Sequence, residues 1–193
     1  AVMMDRNLGA LNTTKGDARS FGLFYQWGRK DPFIGVGTTD YSSYASTFPT
    51  NVISYKETTE TLGTVENATK NPTTFYYYGP DSDWHYPYRD NSLWESEKSI
   101  YDPCPSGWRV PDGGGGVWSN IEDGRSTSTN GFVFTLPYST PAAYYPSAGY
   151  MYNGGSISSE SRYWSCSYSG SYSYNLYINN WNANTTASMN RYY

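Results

Sequence analysis

The stretch Ser173-Tyr174-Asn175-Leu176-Tyr177-Ile178-Asn179 changes side-chain character with a period of two. That period is typical of a β-strand, in which successive side chains point to opposite faces of a sheet. The alternation predicts that Leu176 and Ile178 face the core. Asn175 and Tyr177 are expected on the opposite face, with Tyr177 turned outward. The C-terminal part of the chain is therefore expected to be built on β-structure.

Two segments that precede this stretch also have the composition of strands. Residues 131–136 form an apolar run, Gly-Phe-Val-Phe-Thr-Leu, which Pro137 ends. Residues 162–165, Arg-Tyr-Trp-Ser, are a further strand candidate. Residues 179–182, Asn-Asn-Trp-Asn, are predicted to form a turn into a final irregular stretch, with Trp181 partly exposed.

The N-terminal part offers two short helix candidates. Residues 17–27 are predicted to form a helix that Asp17 caps, with Phe, Leu and Trp side chains on one apolar face. The second candidate, residues 117–121, is expected to be a short helix or to be replaced by a loop, because the four glycines before it disfavour helix. Residues 35–74, rich in Thr, Ser and Asn, are expected to be an extended loop region with short strands. Neither a repeat nor a linker is visible, so residues 1–193 are predicted to form a single domain.

Composition excludes several functional classes. The chain has 193 residues, a formal charge of −4, 16% charged residues and 19% aromatic residues, with 22 Tyr. This length can bury roughly 70% of the unfolded surface without metals or many disulfides. The mildly acidic balance gives no electrostatic footprint for nucleic acid or an anionic membrane. No apolar run reaches the ~18 residues of a membrane span, so no direct membrane insertion is expected.

The tail, residues 161–193, differs in composition from the rest of the chain. It contains 7 Tyr, 7 Ser and 6 Asn, but only two charged residues, Arg162 and Arg191. Such a polar composition can indicate disorder. However, the apolar residues of the tail recur at spacings that can anchor strands, which favours an ordered segment; they are Trp164, Leu176, Ile178 and Trp181. So many Tyr hydroxyls cannot all be paired in a core, so rings are expected at the surface.

Motifs along most of the chain carry a family resemblance. Asp5-Arg6-Asn7-Leu8-Gly9-Ala10 and Tyr25-Gln26-Trp27-Gly28-Arg29-Lys30-Asp31-Pro32-Phe33 resemble the opening of the Fibrobacter succinogenes major paralogous domain. Tyr101-Asp102-Pro103-Cys104-Pro105-Ser106-Gly107-Trp108-Arg109-Val110-Pro111 resembles its central signature, and residues 131–149 with 163–165 its later part. The resemblance implies an α+β, C-type-lectin-like fold with short helices, small antiparallel sheets and long ordered loops. Members are common in exported surface proteins of gut bacteria.

The segment of about residues 163–193 is similar to a narrower group, the variable proteins of diversity-generating retroelements. In that group a Tyr-Trp-Ser start precedes a segment that adenine-directed mutagenesis diversifies, and residues 168–172 and 182–190 have its composition. The resemblance implies a diversified ligand-binding surface on a lectin-like scaffold. The scaffold residues expected to hold it are Trp27, Arg29, Trp108 and Trp164. The expected ligand-binding residues are Tyr168, Ser169, Ser171, Tyr172, Tyr177, Asn180, Asn182, Asn184, Thr186, Ser188, Asn190 and Tyr192.

The resemblance also concerns the two ends of the chain. Family members usually have a strand before the Asp-Arg-Asn-Leu-Gly motif and a closing strand after the position of Tyr193. The chain is therefore expected to be trimmed at both ends. Because paired terminal strands are a feature of lectin-like folds, we expect an exposed sheet edge unless another chain supplies the pairing.

Two cysteines allow one disulfide. In relatives the cysteine of the Pro-Cys-Pro signature pairs with one in the closing strand, and Cys166 lies where relatives tend to have Ser. A disulfide between Cys104 and Cys166 is one alternative in an exported protein. The other is two unpaired thiols, one buried and one near the surface.

Other chemistry finds weak support in the sequence. His85 is the single histidine and lacks an accompanying nucleophile motif, so a surface or packing role is favoured over a general base. Four residues carry oxygen atoms that could bind Ca²⁺, namely Asp81, Asp83, Asp90 and Asn91. Their spacing matches no EF-hand loop, so a solvated acidic turn is favoured. The glycine run at 113–116 lacks the Gly-Lys-Ser/Thr of a phosphate loop. No catalytic residue, metal or cofactor is expected.

The sequence thus favours a ligand-binding surface protein, of the adhesin or phage receptor-binding type, over an enzyme. The expected partner is a protein or glycan on another cell or host surface, with no nucleic acid, and the expected location is a bacterial cell surface or phage tail tip. Tyr, Ser, Gly and Asn are also the residues that antibody binding loops use. The alternative is a structural pilus or cell-envelope subunit. An enzyme of the formylglycine-generating type is disfavoured, because the two cysteines do not reproduce its active-site arrangement.

Overall fold

The structure, a computed structural model, describes residues 3–34, 53–77, 83–86, 89–113, 117–118, 126–128, 131–134, 143–152, 156–158, 160–179 and 182–193. This part of the chain is a mixed α+β arrangement with few, short helices and small sheets. Its helices are α1 (Val65–Lys70) and the 3₁₀ segments Ala18–Ser20 and Asn91–Leu93. Its strands are β1 (Ser54–Glu57), β2 (Thr74–Tyr77), β3 (Ser126–Ser128), β4 (Gly131–Phe134), β5 (Ala143–Pro146), β6 (Tyr150–Tyr152), β7 (Ser156–Ser158), β8 (Ser161–Ser169), β9 (Tyr172–Ile178) and β10 (Ala183–Asn190).

Strands β8, β9 and β10 form an antiparallel sheet in the order β10-β9-β8, here called the C-terminal sheet. The strand predicted over residues 173–179 is confirmed as β9, and residues 162–165 lie within the longer β8. The predicted turn is bounded by hydrogen bonds between Asn179 and Asn182. The expected irregular stretch beyond it is wrong, because this stretch forms β10.

Both faces of the C-terminal sheet are covered at its centre. Leu176 and Ile178 are fully buried, as predicted, and pack in one cluster with Trp118 and Phe134. On the opposite face Asn175 is fully buried as well, so the expected outward orientation of this face is wrong there. Its amide oxygen accepts a hydrogen bond from Nη1 of Arg162 at 3.3 Å. The backbone of the tail is therefore fixed from two sides.

Two further antiparallel sheets, β3-β4-β5 and β6-β7, precede the C-terminal sheet in the sequence. The strand predicted over residues 131–136 is present as β4, and residues 135–137 lie outside the described residues. Of the helix candidate at residues 117–121, Val117 and Trp118 form a turn, and residues 119–121 lie outside the described residues.

The region 35–74 contains more regular structure than a loop. β1 and β2 pair in parallel, which requires a crossover, and α1 supplies it. Thr64 caps α1, since its side chain accepts a hydrogen bond from the Asn67 amide at 3.1 Å. This helix contradicts the expectation of short strands and loops alone, while residues 35–52 lie outside the described part.

The helix predicted over residues 17–27 is wrong apart from its start. Asp17 does cap, but the segment Ala18–Ser20 is a single 3₁₀ turn. Gly22 then has φ of +78°, and a Cβ there would lie 2.5 Å from the Leu8 carbonyl oxygen, so the chain must turn at this point. Phe24 beyond it forms a β-bridge with Phe33.

The tryptophans are mostly core residues, with one correction. Trp27, Trp84, Trp94 and Trp118 are fully buried, and Trp164 is half-buried. Trp108 was expected to be a scaffold residue, but 36% of its surface is exposed. The turn at residues 105–108 carries it outward, since Trp108 N bonds the Pro105 carbonyl and Gly107 has φ of +82°. Trp181 lies outside the described residues.

One buried carboxylate organises the loop that contains the central signature. Asp102 is 1% exposed, and its Oδ1 accepts hydrogen bonds from the Cys104 amide and from Nζ of Lys98, both at 2.8 Å. Its Oδ2 accepts one from the Val110 amide, also at 2.8 Å. A single charged side chain thus replaces regular secondary structure in fixing this loop.

Within the residues that the structure describes, no helix has the length and apolar character needed to cross a membrane.

Candidate functional site

The hairpin between β8 and β9 ends in a two-residue turn. Ser169 pairs with Tyr172, which leaves Gly170 and Ser171 as the turn residues. Gly170 has φ of +60°, a left-handed conformation that glycine adopts without strain, and a Cβ added there would meet nothing within 4 Å. Ser169 and Tyr172 are exposed and Ser171 is half-buried. The turn therefore stands in open space.

Two tyrosine rings flank this turn. Tyr168 is 47% exposed and Tyr172 is 45% exposed, which places both among the large side chains that the described part leaves at the surface. Tyr168 pairs with Ser173, whereas Tyr172 pairs with Ser169. Since paired residues share a face and neighbours along a strand do not, the two rings leave opposite faces of the hairpin. Ring surface is thus presented on both sides of the tip.

Tyr168 rests on a buried charge. The guanidinium of Arg191 lies 5.2 Å from the centre of its ring, and 3.9 Å from the ring centre of Trp27 on the scaffold. A cation held against a ring face is attracted by the negative face of the π-system. The inner side of Tyr168 is therefore fixed, while nearly half of its surface remains open to solvent.

Arg191 is fully buried, and polar side chains surround its guanidinium. Its Nη1 lies 3.4 Å from an oxygen of Asp83, Nη2 donates to Asn91 at 2.6 Å, and Nε donates to Ser173 at 3.0 Å. Burial lowers the pKa of Arg191 and raises the pKa of Asp83, and the attraction between the two charges acts against both effects. This cluster ties β9 and the C-terminal end of the chain to Asp83 and Asn91.

Tyr172 belongs to a polar row that crosses all three strands. Ser169 on β8 and Asn190 on β10 are its two cross-strand partners, so the three side chains share one face. Nδ2 of Asn190 donates to the Tyr192 hydroxyl at 2.9 Å. Tyr192 is half-buried and its ring lies 4.5 Å from that of Tyr193. These four expected ligand-binding residues, Ser169, Tyr172, Asn190 and Tyr192, are therefore brought together.

Strand β10 extends the polar surface. Ala183 and Met189 are buried, whereas the polar positions between them are exposed apart from the half-buried Thr185. The register shifts between Asn184 and Ala187, and Oδ1 of Asn184 accepts hydrogen bonds from the Thr186 amide and hydroxyl at 2.9 and 3.1 Å. A side chain thereby satisfies the irregular backbone at this bulge. The exposed residues on and before β10 are Asn182, Asn184, Thr186 and Ser188.

One expected ligand-binding residue is placed differently. Tyr177 was expected to point outward, but it is half-buried because the Arg162 guanidinium lies 4.6 Å from its ring centre. Its hydroxyl accepts a hydrogen bond from Asn179 at 3.0 Å. Tyr177 thus packs at the end of β9 that lies away from the hairpin tip. Asn180, another expected ligand-binding residue, lies outside the described residues.

The exposed surface carries no formal charge. Residues 163–190 contain no Asp, Glu, Lys, Arg or His. Contacts made there would consist of ring surface and neutral hydrogen bonds, whose strength depends little on salt. This surface is called the tail surface below; it comprises the exposed residues Tyr168, Ser169, Tyr172, Asn182, Asn184, Thr186 and Ser188 and the half-buried residues Ser171, Asn190 and Tyr192.

Two of the four expected scaffold residues, Trp27 and Trp164, connect the tail to the rest of the fold. Nε1 of Trp27 donates to the Ser165 carbonyl at 2.9 Å, and Nε1 of Trp164 donates to the Tyr25 carbonyl at 3.1 Å. Arg29 is buried away from the tail, where its Nη1 donates to the Thr74 carbonyl at 2.7 Å. Trp27 of the N-terminal segment thus bonds to β8, and Trp164 of β8 bonds to the N-terminal segment.

Sequence reasoning missed Arg191 and Ser173 as supports of the tail surface. Arg191 had a signal, since it is one of two charged residues in a segment that is otherwise neutral. A lone charge near buried aromatic residues indicates a paired internal group. Ser173 had no such signal, because its residue type matches the exposed serines around it.

The two cysteines do not form a disulfide, which is the second of the two alternatives left open by the sequence. Cys104 and Cys166 are both free, the first half-buried and the second buried. Sγ of Cys166 donates to Oδ1 of Asp112 at 3.3 Å, and Asp112 also pairs with Arg109 at 2.6 Å. Burial raises the pKa of each thiol to about 12.

The acidic residues considered for Ca²⁺ are engaged elsewhere. Asp83 and Asn91 converge on Arg191, and Oδ1 of Asp90 accepts from the Ser92 amide at 2.9 Å. Asp83 is 1% exposed, so a solvated turn is the wrong description for it. Asp81 lies outside the described residues, within which no cluster of three metal-binding side chains occurs.

His85 lies at the edge of the same core. Its ring centre is 5.6 Å from that of Trp84, in an edge-to-face arrangement, and its amide donates to Asp83 at 3.1 Å. Both contacts are of the packing kind favoured from the sequence.

Comparison with known proteins adds no relative. No protein-family model, no curated protein and no solved structure matches the chain.

Proposed function

We propose that this chain is an extracellular ligand-binding protein, of the adhesin or phage receptor-binding type, and that the tail surface is its recognition surface. The proposal includes a C-type-lectin-like scaffold and diversification of the tail, both of which rest on the motif resemblance. Its location would be a bacterial cell surface or a phage tail tip. The partner would be a protein or a glycan.

One observation carries the proposal. Tyr168 and Tyr172 expose nearly half of their surface at the tip of a hairpin whose base is buried on both faces. Rigid tyrosines lose little side-chain entropy on binding and offer both apolar area and a hydroxyl. A protein selected only for stability gains nothing from such exposure, whereas a binding protein does.

The neighbouring side chains complete a recognition chemistry. Ser and Asn donate and accept hydrogen bonds without net charge, so they can adapt to different partners. The absence of charge in residues 163–190 argues for short-range contact and against electrostatic attraction of nucleic acid.

A selection experiment tests whether the tail surface can be re-specified. The tail library is the chain displayed on phage with eight positions of the tail surface randomised, and lysozyme serves as a defined target. Six of these positions are exposed, namely Tyr168, Ser169, Tyr172, Asn184, Thr186 and Ser188, and two are half-buried, Ser171 and Asn190. The control library randomises as many positions in the exposed part of the β1-α1 region, namely Ser54, Lys56, Glu57, Thr59, Thr61, Glu66, Thr69 and Lys70.

We expect the tail library to yield binders with dissociation constants below ~1 μM, a value typical of specific recognition, and the control library to yield none. The selected binders should lose affinity when the residue at position 168 or 172 is replaced by Ala. Binders from both libraries, or from neither, would contradict a specialised recognition surface in the tail.

A further inference from the structure

A cavity of about 220 Å³ lies between β8, β6 and the N-terminal segment. Most of its wall is apolar and includes Phe21, Leu23, Trp94, Trp118 and Met151. An empty apolar cavity of roughly 150 Å³ suffices to hold benzene. The cavity can therefore accept a small molecule with an apolar body.

Several uncharged polar groups of the wall bond to the protein itself. Nδ2 of Asn7 donates to the Phe21 carbonyl at 3.0 Å, and the Tyr163 hydroxyl donates to the Pro146 carbonyl. Nε1 of Trp94 donates to the Tyr101 carbonyl at 3.0 Å. These groups need no ligand.

Arg162 differs from them, and it is the single charged side chain of the wall. Its guanidinium lies 5.1 Å from the ring centre of Tyr150 and 4.6 Å from that of Tyr177, so two rings sandwich it. Its Nη1 donates to a neutral acceptor, Asn175, while Nε is buried without a hydrogen-bond partner. Glu160, two residues earlier, hydrogen-bonds to the Tyr177 hydroxyl.

None of the ion pairs in the described part of the chain includes Arg162. Arg162 is half-buried, but its Nε is buried, and a buried guanidinium donor without a hydrogen-bond partner is unfavourable. Guanidinium groups favour planar anions, with which they form paired hydrogen bonds. The cavity thus combines apolar walls with one cation that lacks an anionic partner.

We propose that this cavity binds a small amphipathic carboxylate, whose apolar body lies against the aromatic wall and whose carboxylate bonds to Arg162. The site is separate from the tail surface, and it does not depend on the function proposed for that surface. No bond is made or broken in this binding.

Calorimetric titration of the chain with octanoate, and with octan-1-ol as the uncharged analogue, tests the proposal. We expect octanoate to bind at one site at least ~10-fold more tightly than octanol, because a charge-assisted hydrogen bond is worth about that factor. Arg162→Met should abolish the preference, whereas Arg19→Met, a change at an exposed arginine outside the cavity wall, should keep it.

A second measurement does not need the Arg162 variant to fold. Cys104 lines the cavity, so in a Cys166→Ser variant octanoate should slow alkylation of the remaining thiol, while octylamine should not. Equal affinity for octanoate and octanol, or alkylation that octanoate leaves unchanged, would overturn the proposal. So would retention of the carboxylate preference by a folded Arg162→Met variant.

Discussion

Arg191 shows how one side chain can support a recognition surface from below. It touches Trp27 and Tyr168 with the faces of its guanidinium, and Asp83, Asn91 and Ser173 with the edges. The same residue therefore links the buried scaffold to the exposed ring of Tyr168. A defect here should alter both stability and the position of that ring.

We expect Arg191→Met to destabilise the fold by roughly 3–5 kcal/mol, because it leaves the carboxylate of Asp83 buried without its cation. Urea unfolding followed by tryptophan fluorescence measures the loss. Adding Asp83→Asn should restore part of it. The matched control is Arg6→Met, which breaks an exposed ion pair with Asp5 and should cost less than ~1 kcal/mol. Equal losses in the two single variants would show that Arg191 is not a buried support.

The two thiols predict a pH dependence. Because burial raises both pKa values to about 12, Cys104 and Cys166 remain protonated in the folded state at pH values where free cysteine, with a pKa of about 8.5, ionises. Their contribution to stability is thus complete below about pH 8.5 and is lost as the pH rises towards 12.

At pH 8.5 we therefore expect iodoacetamide to alkylate both cysteines much more slowly in the native protein than in urea, since the thiolate is the reactive form. Mass spectrometry of timed samples gives the rate constant at each site. Native rates close to those of the unfolded chain would mean that the thiols are not held protonated.

At the scale of elements, the glycine run at residues 113–116 has a packing role at its first position. A Cβ added to Gly113 would lie 2.3 Å from Oγ of Ser165 and 3.0 Å from Cβ of Tyr174. The Gly113 amide donates to the Ser167 hydroxyl at 3.0 Å. The loop backbone thus lies directly against β8 and β9, where a side chain has no room.

We expect Gly113→Ala to destabilise the C-terminal sheet by about 1–3 kcal/mol, the usual cost of overpacking. Gly170→Asn is the matched control, because Asn tolerates a positive φ and the turn is open. Thermal unfolding monitored by circular dichroism compares the two variants. A larger loss for Gly170→Asn would contradict the assigned contact.

The elements differ in how far the sequence predicts them. β9 was predictable because Leu176 and Ile178 alternate with polar residues, and burial keeps that period regular. β10 was missed because a bulge between Asn184 and Ala187 interrupts its period, and its exposed positions carry no apolar signal. Helix α1 was missed because six residues with one buried position, Ala68, are too few for helical periodicity.

For the candidate site, composition predicted which segment reaches the surface, but not which of its residues do so. Tyr168 and Tyr172 are exposed whereas Tyr177 is half-buried, since Arg162 approaches from a strand position that pairs with it. Ser173 and Asn175 are fully buried although their types match the tail surface. Only the pairing of strands, which is a long-range property, separates these cases.

At the scale of the whole molecule, the structure divides the tail into residues that hold the fold and residues that face solvent. The division cuts across residue type: Asn175 is buried and bonded to Arg162, whereas Asn184 is exposed. Ser173 is buried and bonded to Arg191, whereas Ser188 is exposed. These are matched pairs for testing diversification.

If the tail is diversified for recognition, variation should follow exposure and not residue type. We expect natural variants of this locus to differ at positions 184 and 188 while retaining Asn175 and Ser173, because a buried hydrogen-bonding group left without its partner costs about 1–3 kcal/mol. A display library with all single substitutions, sorted for protease resistance, should show the same contrast without reference to any ligand. Comparable tolerance at 175 and 184 in the library would mean that the sheet does not hold the tail as described. Retention of all four residues across isolates, with tolerance confined to 184 and 188 in the library, would instead leave the fold intact and remove diversification from the proposed function.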